Sequence, residues 1–105
     1  MQVRKTRWSK VYESSEEELV AFLQARNTTA TRWTAVEFEA LPEQRLDTNT
    51  TIWLAEGSAK FTVSNVGYSM QPGDAIDLPA GTALNITAGM SGCVCYEVMS
   101  GTAAG

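Results

Sequence analysis

Gly73-Asp74-Ala75-Ile76-Asp77-Leu78-Pro79-Ala80-Gly81-Thr82-Ala83-Leu84 is the stretch that decides how this chain folds. Just before it, Gln71-Pro72-Gly73-Asp74 combines a proline that presets one turn dihedral with a glycine free to take positive φ, so the chain reverses there. Pro79-Ala80-Gly81 repeats the device. Ala75 to Leu78 and Thr82 to Ala88 therefore read as short strands on either side of the second break. Nothing in the stretch can hold a metal through imidazole, because the 105-residue chain contains no histidine.

Outward from this centre the same punctuation continues. Gly89-Met90-Ser91-Gly92 separates Thr82 to Ala88 from a further strand, Cys93 to Met99. Upstream, Ile52 to Glu56 is followed by Gly57-Ser58, which permits a tight reversal into Ala59 to Val63. Asn65-Val66-Gly67 reads as a turn and Tyr68 to Met70 as a short strand. Val36, Phe38 and Ala40 alternate with Glu37 and Glu39, the pattern of a half-buried strand, and Pro42 ends it. Before the Thr-rich link 27–31, Ser15-Glu16-Glu17-Glu18 forms a capping box at the start of a helix of about three turns. Leu19, Phe22 and Leu23 would dock that helix on a sheet, and Asn27 would stop it. Seven or so strands after one early helix predict an antiparallel sandwich or barrel.

The quoted stretch resembles the second conserved motif of the cupin family, which reads Gly, five residues, Pro, any residue, Gly, two residues, His. Leu84 stands at the histidine position. The passage Ile52 to Val63 is similar to the family's aromatic, apolar, Glu-Gly strand and hairpin, and Gln71 to Asp74 and Leu78 to Gly81 complete the likeness over roughly residues 32–99. The resemblance implies a small single-domain cupin lacking the metal-binding histidines: all-β, an antiparallel jelly-roll-like barrel (a double-stranded β-helix) with one short N-terminal helix. One domain over residues 1–105 is expected, with the helix at about 15–26, the barrel at about 32–99 and a flexible tail at 100–105. The first family motif also departs. Its glutamate position is Thr50, and its histidine positions fall at Gln44 and Leu46 or at Glu43 and Arg45. The hairpin between Pro42 and Gly57 is shorter than the family's. No metal and no cofactor are therefore expected.

Composition narrows the function classes further. At 44% hydrophobic residues the chain can bury roughly two-thirds of its unfolded surface in one core. Its net charge of −4 argues against a nucleic-acid partner. The basic start of the chain lacks an apolar segment behind it, and no apolar run approaches the roughly 18 residues of a membrane span, so a cytoplasmic protein without a membrane partner is expected. Cys93 and Cys95 share one face of a strand and read as core.

Candidate site residues follow from the resemblance and from alternation. If Leu84 faces inward, so do Thr82 and Ile86, and on the neighbouring strand Thr50, Ile52, Leu54 and Glu56 share the family's inward face. A site at the barrel mouth would be framed by Glu43, Arg45, Thr50 and Glu56 and floored by Leu54, Leu84 and Ile86. Two arrangements stay open: an apolar pocket beneath a polar rim, or an interior packed shut. Trp53 should point away from the interior toward the helix or a second subunit. Glu97, beside Cys95, would need a partner if buried, with Arg45 or Arg32 available, and would then be a candidate general acid or base. The expected function is a metal-free module that binds or senses a small-molecule ligand, as a homodimer formed through strand pairing or Trp53. The alternatives are a metal-independent enzyme, nucleoside phosphorylase-like or isomerase-like by analogy, with no catalytic residue identified, or a closed structural or protein-interaction barrel.

Overall fold

The structure is a computed structural model that describes residues 3–9 and 15–99. The tail expected to fray at 100–105 lies outside the described residues. The elements are β1 (Arg4–Arg7), α1 (Glu16–Ala25), β2 (Thr31–Ala35), β3 (Gln44–Arg45), β4 (Thr50–Val63), β5 (Val66–Met70), β6 (Asp74–Leu78) and β7 (Ala83–Met99). All strand pairings are antiparallel, in the order β1-β6-β4-β7-β2, with β5 added to β4 and β3 to β7.

Two long strands make the fold. The first half of β4, Thr50 to Trp53, lies between β6 and the end of β7. Its second half, Ala59 to Val63, lies between β5 and the start of β7. Register shifts fall between Leu54 and Glu56 and again between Gly57 and Ala59. Such irregularities bend a strand and raise its twist, which lets β4 and β7 pass from one half of the barrel to the other. The tight reversal expected at Gly57-Ser58 is therefore absent, and β4 runs through it. The break expected at Gly89 to Gly92 likewise lies inside β7. Gly57 has φ 81° and Gly92 φ 70°. A Cβ on Gly57 would fall 2.1 Å from the Gly92 carbonyl oxygen, and one on Gly92 would fall 2.4 Å from that of Ala35. The glycines are needed for close backbone approach at the corner, not for a hairpin.

The hairpin itself lies one residue earlier than the Asn65-Val66-Gly67 turn read from the sequence. Ser64 and Asn65 have φ 50° and 68°, and Val63 pairs with Val66, as in a two-residue turn with both central residues left-handed. A larger departure lies at 36–40. Val36 is 69% exposed and Phe38 64% exposed, with Phe38 at φ 57°, so the alternating run is a turn and not a strand. The Val36 amide donates to Glu39 Oε1 at 2.9 Å and the Glu39 amide to the Val36 carbonyl at 3.1 Å. The strand is β2 instead, where Ala35 is buried and pairing to Cys93 through Glu97 decides the matter. A bridge between Ala40 and Thr87 is all that remains of strand pairing there.

The helix begins as its cap requires: Ser15 Oγ accepts from the Glu18 amide at 3.2 Å, and Asn27, at φ 54°, ends the segment. Leu19 and Leu23 are buried against Ala55, with Trp8, Phe22, Trp53 and Tyr96 around them. Trp53 thus meets the helix. β1, which the residue pattern did not announce, is fastened to β6 by charge. Arg7 Nη1 lies 2.8 Å from Asp74 Oδ1, Lys5 lies 3.6 Å from Oδ2, and the Gln71 amide donates to the same carboxylate at 2.8 Å. No helix among the described residues is long and apolar enough to cross a membrane.

Candidate functional site

The inward alternation holds at Leu84 and Ile86 on β7 and on β4 as far as Leu54. Thr50, Ile52 and Leu54 of β4 and Leu84 and Ile86 of β7 lie in one buried cluster or against it, with Phe61, Val63, Met70, Ile76 and Leu78. Leu54 and Leu84 have no exposed surface, and Thr50 and Ile86 keep 1% each. A side chain with no exposed surface touches no water-sized space, so the floor residues are packed against one another. The Thr50 hydroxyl donates to the Thr48 carbonyl at 3.1 Å, so its polar atom is satisfied locally.

The expected rim is not brought over this floor. Arg45 pairs with Ala83 and Gln44 with Leu84, which puts Arg45 on the face opposite Leu84. Its Nη1 donates to the Gly81 carbonyl at 2.7 Å. Glu43 accepts from Asn85 Nδ2 at 3.3 Å, again on the exposed face of β7. Glu56 is separated from Leu54 by the shift at Ala55. Leu54 pairs with Cys95, but Glu56 pairs with Val94, so Glu56 leaves the inward face and lies exposed beside the helix. Both Leu54 and its neighbour Ala55 are buried, on opposite sides of the sheet. One inserted residue exchanges the two faces beyond it.

The family's ligand positions do not fit a metal. Leu84 and Leu46 are buried and carry no ligating atom, Thr50 is buried with its hydroxyl bound to the Thr48 carbonyl, Gln44 is exposed, and Glu43 and Arg45 lie on the face opposite Leu84. Among the described residues no three Cys, Asp or Glu side chains converge as a metal-holding group.

Glu97 does not pair with either arginine offered to it. It is half-buried and accepts from Trp33 Nε1 at 3.2 Å. Arg32 binds Glu16 instead, with Nε 2.5 Å from Oε2, and the Tyr96 hydroxyl donates to that same oxygen at 2.5 Å. The hydrogen bond from Arg32 and then that from Tyr96 hold the Glu16 carboxyl below the usual range, and desolvation with the same bond raises Tyr96. This clamp ties α1 to β2 and β7. Since the folded Glu16 pKa is depressed, the contribution is present above its unfolded value and lost as pH falls through the folded one.

Cavities lie outside the barrel interior, among them one of 560 Å³ beside Lys5, Arg7, Gln71 and Asp74. One of 500 Å³ runs along α1 and reaches Glu56, one of 390 Å³ lies near Phe38, Lys60 and Gln71, and one of 280 Å³ opens at the β4–β7 corner beside Cys93. None was announced by periodicity, because each is made at a bulge or between elements distant in sequence.

No protein-family model and no curated protein matches this chain. Solved structures do. A DUF861-family protein from Thermotoga maritima superposes with a TM-score of 0.63 at 18% identity, over 93% of this chain and 99% of that one. A cupin superfamily protein from Desulfitobacterium hafniense does so at 0.62 and 15%, over 93% and 76%. Salicylate 1,2-dioxygenase from Pseudoaminobacter salicylatoxidans aligns at 0.57 and 11%, over 77% of this chain and 29% of that one. The described residues have the cupin fold, an antiparallel β-barrel with one helix among them. That fold serves enzymes and non-enzymes alike, so it leaves the activity open.

Proposed function

We propose that this chain is a cupin-fold interaction module that works without a barrel-held transition metal and uses its outer surfaces, the interior being structural. The observation that carries this reading is the burial of Leu54 and Leu84, which have no exposed surface at the place where a cupin ligand would sit. Of the alternatives in the sequence, the closed protein-interaction barrel thus gains most. In this reading the module pairs as a homodimer through the exposed outer strand β2, since Trp53 is already packed against the helix. A second reading, small-molecule binding on the exterior, is favoured by the 500 Å³ groove along α1.

The test is Leu84→Trp. In a closed interior the larger ring overpacks, and a loss of about 1–3 kcal/mol is expected in urea melts. A variant as stable as the parent would mean that space exists beside Leu84 and would return the ligand to the interior. A thermal-shift screen of metabolites on both proteins reads the second arm: a compound that stabilises the parent but not Leu84→Trp overturns the structural interior.

Metal independence is checked separately. Protein prepared without a histidine tag is expected to carry far less than one equivalent of zinc, iron, nickel or manganese per chain by elemental analysis, because the donor set lacks imidazole and converging carboxylates. A stoichiometric metal would refute it.

A further inference from the structure

Among the described residues the strand order ends in β1 on one side and β2 on the other, and the two ends differ in charge. Antiparallel pairing of two copies of β1 about its centre would set Arg4 opposite the partner's Arg7, and like charges directly opposite are destabilising. The same operation on β2, centred on Trp33, sets Arg32 opposite the partner's Thr34 and Val36 opposite the partner's Ala30. No cation then meets a cation, and Arg32 is already neutralised by Glu16 of its own chain. Of the two ends, β2 is the one that tolerates a second copy.

That edge does not stop at Ala35. The Phe38 amide donates to the Gly89 carbonyl at 3.0 Å, the Ala88 amide donates to the Glu39 carbonyl at 2.8 Å, and Ala40 bridges to Thr87, so 36–40 follows the same side of β7 that β2 does. Exposed Val36 and Phe38 stand along it. An aromatic residue at φ 57° is strained, and such strain persists only where the surroundings over-determine it. The turn does so, closed by the bonds of Glu39 to the Val36 amide and carbonyl, while Phe38 itself stays 64% exposed. A rigid turn that holds an aromatic ring out in water has the build of an anchor whose ordering is complete before binding.

We propose that Phe38 anchors a homodimer formed along the β2 edge, packing with Val36 against the start of β2 in the second copy. This rests on the homodimer reading given above. A ladder of five residues falls short of the roughly 1,000 Å² that a specific interface buries, and the exposed corner adds apolar area where the two-fold pairing needs it.

Sedimentation velocity of the full chain over a dilution series tests the anchor, with circular dichroism to establish that each variant is folded. The parent is expected to dimerise. Phe38→Gly suits the left-handed backbone and removes only the ring, so it should stay folded while the dimer Kd rises at least about tenfold, the scale of a lost hot-spot side chain. Thr34→Arg sets a second cation opposite the partner's Arg32 and should weaken the dimer as well. Arg4→Ala, at the other end of the sheet, should change nothing. If Phe38→Gly dimerises as tightly as the parent while Thr34→Arg does not, the anchor is overturned and the β2 dimer stands. Weakening by Phe38→Gly alone would overturn the strand pairing on which the place of the anchor depends. A parent that is monomeric throughout, or one that only Arg4→Ala weakens, overturns both the anchor and the β2 dimer.

Discussion

Gly57→Ala is expected to destabilise the protein by about 2–5 kcal/mol, combining a left-handed backbone penalty of about 1–2 kcal/mol with the cost of forcing apart a packed contact. The physical reason is the corner of β4. Gly57 sits at φ 81°, and the added methyl would lie 2.1 Å from the Gly92 carbonyl oxygen and 2.9 Å from its carbonyl carbon, backbone atoms that cannot turn aside. Gly81→Ala is the control. Gly81 has a similar φ of 86° with nothing within 4 Å of the added carbon, so only the dihedral penalty of about 1–2 kcal/mol applies. Urea melts of the two variants isolate the steric contribution. Equal losses would mean that the two long strands do not approach at Gly57 and Gly92 as closely as described.

Truncation of the barrel floor should match this in size. Leu54→Ala and Ile86→Ala are each expected to cost about 2–5 kcal/mol, from lost transfer energy and the cavity left behind. Leu54 is fully buried and Ile86 1% exposed, in one cluster with Phe61 and Leu84. The Leu54 result carries the more information, since it lies immediately before the bulge at Ala55. Losses below about 1 kcal/mol at both positions would place these side chains on the wrong face, because a one-residue slip exchanges the faces of a strand. A rise in affinity for small apolar compounds in Leu54→Ala would agree with a cavity opened where the parent has none.

The exclusion of an imidazole-held metal needs no coordinates, since it follows from the absence of histidine. The helix cap at Ser15, the breaks at Pro72-Gly73 and Pro79-Gly81, and the inward direction of Leu84 and Ile86 were also legible, because each depends on residues within a few positions of one another. Where several local signals competed, sequence reading failed. Val36, Phe38 and Ala40 alternate as a strand would, but β7 pairs with Thr31 to Ala35 instead. The rim was lost for the same reason. Glu56 was assigned inward by counting from Leu54, and the bulge at Ala55 turned it outward, toward the helix. Glu43 and Arg45 face away from Leu84 because β3 pairs with β7 in a register that no nearby residue encodes. Period and turn chemistry are local properties of the chain, so the sequence determined which segments could be strands and which side chains were apolar enough to fill a core. Pairing register and bulge position depend on contacts across dozens of residues, so only the tertiary structure decided which face Glu56 joins and how tightly the interior closes.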